Sequence, residues 1–199
     1  MKILLIGANG TIGSAIDNEL SPRHEIVRIG RRSGELQVDI SDSASIRALF
    51  AKTGRFDALV CAAGNVTFAP LDDMSEESFA LGLKDKLMGQ VNLLLIGREF
   101  ANDGASFTFT TGVLSHDPIK SSASAALVNG ALDSFVRAAA IELPRGLRVN
   151  SVSPTVLLEA MDKYAPYFRG YKPVPAADVA LAYAKSVEGL QTGQTFHVG

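Results

Sequence analysis

Two rhythms of apolar residues alternate along this chain. Residues 3–6 form a short apolar run, and the segments 25–29, 36–38, 56–61, 105–110, 147–152 and 194–198, which mix apolar with polar positions, share its strand length; all read as strands. Between them, apolar residues recur at three- and four-residue spacing over 12–20, a stretch capped at 41–43 and running to about 52, about 84–101, about 122–143, and 176–187. These read as helices. A further helical stretch follows Ser75, whose hydroxyl suits an N-cap. Strands alternating with helices predict an α/β fold: a doubly wound parallel sheet of about seven strands, helices on both faces and right-handed crossovers, in one domain over residues 1–199.

The first change of rhythm carries the clearest chemistry. Behind the apolar run 3–6 come Gly7, Gly10 and Gly13 at three-residue spacing, and a helical pattern starts at once. A strand, a glycine turn and a helix start are the context of a dinucleotide-binding turn in a Rossmann-like sheet. Gly7 can turn tightly without a Cβ clash. Gly10 lets the backbone approach a pyrophosphate, and Gly13 lets the helix lie close to the strand. The helix N-terminus adds free N–H groups and a partial positive charge. The bland alternative is an ordinary strand-to-helix turn; the apolar strand directly before the glycines favours the nucleotide site. About twenty positions further on, an acidic residue normally bonds the ribose 2′-hydroxyl of NAD. This chain has Gly30, Arg31 and Arg32 there. Guanidinium groups grip a phosphate bidentately. The expected cofactor is therefore NADP(H), with Arg31 the main contact to the 2′-phosphate; the alternative is a solvated pair of loop arginines.

Composition narrows the class. With 19 Lys and Arg against 21 Asp and Glu, the chain lacks the basic excess of a nucleic-acid binder. No apolar run has the length of a membrane span, and the N-terminal one meets glycine too soon for a signal peptide. The single Cys61 excludes an intrachain disulfide and most cysteine-based metal sites. A cytoplasmic protein acting on a small molecule, without metal, nucleic acid or membrane, is the expectation.

With these residues assembled, the chain resembles the short-chain dehydrogenase/reductase family over nearly its whole length. Gly7-Ala8-Asn9-Gly10-Thr11-Ile12-Gly13 is similar to the family's glycine motif, with Thr11 where a glycine is commoner. Asp39-Ile40 matches its adenine-contacting pair. Cys61-Ala62-Ala63-Gly64 matches the last two positions of its Asn-Asn-Ala-Gly. The stretch from Arg148 to Pro154 matches the segment before its Pro-Gly, with Thr155 replacing the glycine. The resemblance implies a cofactor site made by Gly7, Asn9, Gly10, Thr11, Ile12, Gly13, Arg31, Arg32, Asp39, Ile40, Ala62, Ala63, Gly64, Pro154 and Leu157, with residues 154–157 beside the nicotinamide.

The same resemblance exposes a gap. The family's Tyr-x-x-x-Lys, aligned on Gly130, falls on Ser121 and Ala125, so both catalytic side chains are absent. The Asn of its Asn-x-x-Gly becomes Lys86, and its catalytic Ser falls within Thr110-Thr111-Gly112, with Thr111 the better match. Carbonyl reduction by hydride needs a proton donor at the nascent alkoxide. A phenol serves when cations lower its pKa from about 10; a serine hydroxyl is too weak an acid. The candidate substitutes are Lys86, to supply charge or proton, Thr111, to orient a carbonyl oxygen, and His116, an imidazole at the edge of the site. Each has a bland alternative: a solvated helix lysine, a threonine bonding backbone, and a histidine in a plain turn with Asp117 and Pro118. Tyr164, Tyr167 and Tyr171 fall in the expected lid, either as phenol donors or as packing aromatics.

The two longest helices are apolar on more than one face, and Asn129, Asp133 and Arg137 form a polar stripe on the second. One face packs on the sheet. The other is expected to meet a second subunit in a homodimer or homotetramer, the alternative being a monomer with a loop over that face. The leading expectation is an NADP(H)-dependent oxidoreductase acting on a small carbonyl or alcohol with a non-standard proton donor. The alternatives are a non-catalytic NADP(H)-binding redox sensor or regulatory protein, and a scaffold that binds no nucleotide.

Overall fold

In the computed structural model, which describes residues 1–199, the first apolar run becomes β1 (Lys2–Ile6) in the interior of a sheet. Its alternate side chains enter different cores. Leu4 and Ile6 join the larger apolar cluster on one face, Ile3 and Leu5 the smaller cluster on the other. Burial on both faces is why the run is continuously apolar, and each such side chain stabilises the fold by roughly 1.5–3 kcal/mol. The other strands are β2 (Glu25–Gly30), β3 (Leu36–Gln37), β4 (Phe56–Cys61), β5 (Ala101–Thr110), β6 (Arg148–Pro154) and β7 (Thr195–Val198). All pair in parallel in the order β3-β2-β1-β4-β5-β6-β7. This is the expected Rossmann-like doubly wound sheet. Helices α1 (Thr11–Leu20), α2 (Ser43–Thr53), α3 (Glu76–Gly82), α4 (Met88–Gly97), α5 (Ala123–Glu142), α6 (Met161–Tyr164) and α7 (Ala176–Glu188) connect the strands. Residues of α1 and α7 fill one core, those of α2, α4 and α5 the other. Winding reverses between β1 and β4, so the loops leaving those strands diverge and open a crevice at their C-terminal ends. No helix is long and apolar enough to cross a membrane.

Several boundaries differ from the sequence expectation. The helix expected over 84–101 is instead the end of a longer one. From Ser75, whose hydroxyl caps α3, the chain runs through a π-helical segment, Leu83–Leu87, into α4. It stops at Gly97, where a Cβ would lie 2.8 Å from the Phe50 ring. Ala101 already belongs to β5, and Arg145 donates to the carbonyls of Arg98 and Ala101 on either side of the turn. That strand therefore starts four residues before the apolar run at 105 that announced it. At its other end β6 runs on to Pro154, two residues past the expected limit. The polar stripe of α5 points mostly inward. Asn129 and Asp133 are buried, Ser151 of β6 donates to Asp133 at 2.8 Å, and Arg137 is exposed.

Candidate active site

The C-terminal ends of β1, β4, β5 and β6 converge on a cavity of about 320 Å³ lined by Ile12 and by residues 62–64, 110–114 and 154–157. The glycine turn forms one side. Gly7 has φ +87°, and a Cβ there would lie 2.6 Å from the Ala62 carbonyl oxygen. A Cβ on Gly13 would lie 2.0 Å from the carbonyl oxygen of Gly7. The protein's own backbone requires both glycines. Gly10 is different: a Cβ there would meet only the Gly7 carbonyl oxygen, at 3.4 Å. Gly10 also caps α1 with no side-chain acceptor. The first N–H groups of that helix are thus left for another partner, the arrangement that binds an anion.

Beyond the turn, Asn9 Nδ2 donates to Ser33 Oγ at 2.7 Å and ties the glycine loop to the loop after β2. In that second loop Arg31 donates to Asp39 at 2.8 Å. The other Asp39 oxygen accepts from the Ser41 N–H and hydroxyl. Bonds from Ser41, then from Arg31, hold the Asp39 carboxyl below the usual carboxylate range. Arg31 is 60 % exposed and uses one Nη on Asp39, so the rest of its fork is free for a phosphate. Arg32 is exposed beside it, and Ile40 is buried against Gly89.

Lys86 holds the far wall. It lies in the π-helical segment, an irregularity frequent at functional sites. Its stem rests on Gly64, where a Cβ would fall 2.7 Å from Cγ of Lys86. The amine donates to Asn129 Oδ1 at 2.7 Å and to the Thr111 carbonyl at 3.4 Å. No carboxylate pairs with it; neighbouring Asp85 accepts from Asn65 instead, at 2.7 Å. Burial, only partly offset by Cys61 and Asp133, brings the amine down to about 8. Ala125 lies one turn before Asn129 on α5 and lines the same cavity. Lys86 thus enters, from the facing helical segment, the same cavity that Ala125 lines. The small Ala125 leaves room for it, and amines at both positions would repel each other in one pocket.

The remaining candidates separate. Thr111 lines the cavity, but its hydroxyl donates to the Val152 carbonyl at 3.4 Å and only its own carbonyl meets Lys86. His116 lies apart from this cavity. The N–H groups of His116 and Asp117 both donate to the Val113 carbonyl, and this turn buries Leu114 at the cavity while His116 stays exposed. The His116 ring lies edge-on to His197, 4.8 Å between centroids, in a separate polar hollow with Asp133 and Arg137. Tyr171 donates to the Asp117 carbonyl at 3.1 Å, while Ser121, Tyr164 and Tyr167 line an adjoining cavity. Cys61 is fully buried and its thiol is pushed up to about 12 by desolvation, which leaves it inert.

Two residues that support the cavity wall from behind escaped the sequence reading. Gln90, fully buried, donates to the Thr110 carbonyl at 3.2 Å and accepts the Thr110 N–H at 2.9 Å, pinning the end of β5. The Thr110 hydroxyl donates to the Cys61 carbonyl and accepts from the Tyr183 phenol, both at 2.6 Å. For Gln90 the signal was weak: it is one of two amides, with Asn92, in the otherwise apolar α4. Tyr183 had none, since its partner is 73 residues away.

A doubly wound parallel α/β sheet, a glycine turn after its first strand and a cavity at the switch point define a dinucleotide-binding class of fold. Within it, the family model described as enoyl-(acyl carrier protein) reductase matches residues 12–199. The chain belongs to the short-chain dehydrogenase/reductase family. Among solved structures, the protein lin1944 from Listeria innocua is 50% identical, with a TM-score of 0.99 over 100% of both chains. A small-chain dehydrogenase is 26% identical, with a TM-score of 0.85 over 100% of this chain and 95% of its own. Another, solved in complex with NADPH, is 24% identical, with a TM-score of 0.86 over 100% and 96%. No curated protein matches the chain.

Proposed function

We propose that this chain is an NADP(H)-dependent oxidoreductase that moves hydride between the cofactor and a small carbonyl or alcohol, with Lys86 as the proton donor. The observation that carries this reading is the Lys86 amine: set in the switch-point cavity, bonded to an amide rather than a carboxylate, and brought down to about 8. An ammonium of that acidity suits general acid catalysis near neutral pH. Bound NADPH supplies the hydride. As the carbonyl carbon gains it, Lys86 gives a proton to the oxygen, and the neutral amine regains one from solvent; alcohol oxidation runs the same transfer backwards. Asn129 holds the amine in place. The free N–H groups at α1, the clear approach at Gly10 and the open fork of Arg31 fit a dinucleotide carrying a 2′-phosphate. The similar small-chain dehydrogenase that holds NADPH supports the same cofactor.

A fluorescence titration with NADPH, followed by NADPH oxidation over a panel of carbonyl compounds, tests the reading. Arg31→Ala should weaken NADPH by about tenfold or more, the loss of one charged hydrogen-bonding group, and leave NADH unchanged. Wild-type protein binding NADH as tightly as NADPH removes the assignment. The rate of carbonyl reduction should hold below pH 8 and fall about tenfold per unit above it, as the ammonium loses its proton; alcohol oxidation should show the opposite slope. A reduction rate flat through pH 8 removes Lys86 as the acid. Ser121 and Ala125 favour a second reading, an NADP(H)-binding redox sensor without chemistry. Tight NADPH binding with no oxidation on any carbonyl selects it.

A further inference from the structure

We infer that the substrate is an apolar carbonyl compound ending in an anion, a carboxylate or a phosphate ester, with its charge held by Lys120 and Lys163. This rests on reading the Lys86 cavity as the carbonyl site. That cavity adjoins a second one of about 560 Å³, and Phe68 and Phe168 line both. The outer cavity is walled by Pro70, Ile119, Tyr164 and Tyr167. The two cavities share these aromatic walls, the inner one holding Lys86 and the outer one flanked by exposed side chains at the surface.

Lys120 and Lys163 line the outer cavity and are both exposed. Neither forms an ion pair. Lys163 Nζ lies over the Tyr164 ring, 5.1 Å from its centroid, which keeps the ammonium beside the cavity wall. No acidic side chain lines the outer cavity. Asp117 and Asp162, the carboxylates nearest in sequence, lie outside that lining. Between Lys120 and the start of α5, Ser121 holds φ +67°, a left-handed strain of the kind that gathers at binding sites.

Unpaired cations on low-dielectric aromatic walls attract an anion whose body is apolar. A simple alkyl ketone leaves the lysines unused, and a small polar anion leaves the apolar walls unused. A carbonyl compound with an apolar chain and a terminal anion uses both.

The test is calorimetric titration of the protein, with and without NADP+, using three probes of one body: 4-phenylbutanoate, 4-phenylbutanamide and 4-phenylbutyl phosphate. Both anions should bind at least about tenfold more tightly than the amide, and the tighter of the two identifies the head group. Combining Lys120→Gln with Lys163→Gln, both exposed and so neutral to folding, should erase that preference and leave the amide unchanged. Equal binding of anions and amide overturns the inference, as does a preference that survives in the double variant. Calorimetry reads binding and needs no turnover. Failure of the oxidoreductase reading would show instead as absent NADPH oxidation, so the two failures are distinguishable.

Discussion

Replacing Lys86 by methionine should lower the kcat of carbonyl reduction by about 10²- to 10⁴-fold, the usual contribution of a positioned acid. NADPH affinity should stay within about twofold. Methionine keeps an unbranched stem on Gly64, where the Lys86 side chain packs, and removes only the ionisable end. The stability readout separates this from unfolding. The folded pKa of Lys86 lies near 8, below its ordinary 10.5. A group depressed in this way disfavours the folded state below pH 8, and the penalty fades as pH rises to the unfolded value. At pH 7 the methionine variant sheds that penalty but leaves Asn129 Oδ1 without its donor. Its melting temperature should therefore hold or rise. Lys86→Arg refines the result: a guanidinium keeps the positive charge but does not release a proton in this pH range. Loss of turnover in the arginine variant identifies proton transfer as the role. Retained turnover would mean that charge alone is needed, and normal turnover in the methionine variant would remove Lys86 from the mechanism.

The parts of this site that were legible in the sequence are those set by backbone geometry close in sequence. Gly7 and Gly13 are required by contacts within one strand-turn-helix unit, so their spacing announces them. The sheet was announced by the continuous apolar run of β1, buried on both faces, and by strand-length segments alternating with helical ones. What stayed hidden depends on which way a polar side chain faces. Asn129 and Asp133 at four-residue spacing read only as part of a polar stripe, with nothing to say that they face Lys86 and Ser151. The stripe was ambiguous because α5 is apolar on both sides of it, so either edge was free to face water. The π-helical segment was equally hidden, because an extra residue in a helical turn leaves no mark on composition. The placement of His116 was hidden for the opposite reason: closeness in sequence to Thr111 is undone by a turn that closes on the Val113 carbonyl.

The glycine turn yields the sharpest separation of ligand from fold. Gly13→Ala should destabilise the protein by about 1–3 kcal/mol, the range for an overpacked site, and impair NADPH binding together with folding. The obstacle is the Gly7 carbonyl, 2.0 Å from the new Cβ. No side-chain rotation relieves a backbone clash, so α1 must move off the strand. Gly10→Ala should behave differently. Its backbone, at φ −79° and ψ 168°, suits any residue, and the new methyl meets only one atom at ordinary contact distance. Alanine there gains roughly 0.4–1 kcal/mol by restricting the unfolded chain and loses a comparable amount as a poorer N-cap than glycine. The melting temperature should hardly change. NADPH affinity should nevertheless drop by tenfold or more, because the methyl occupies the side from which a pyrophosphate approaches the α1 N–H groups. Paired thermal melts and NADPH titrations read both effects. If the Gly10→Ala protein binds NADPH as well as the parent does, the turn is a packing device and the nucleotide reading of its three glycines fails.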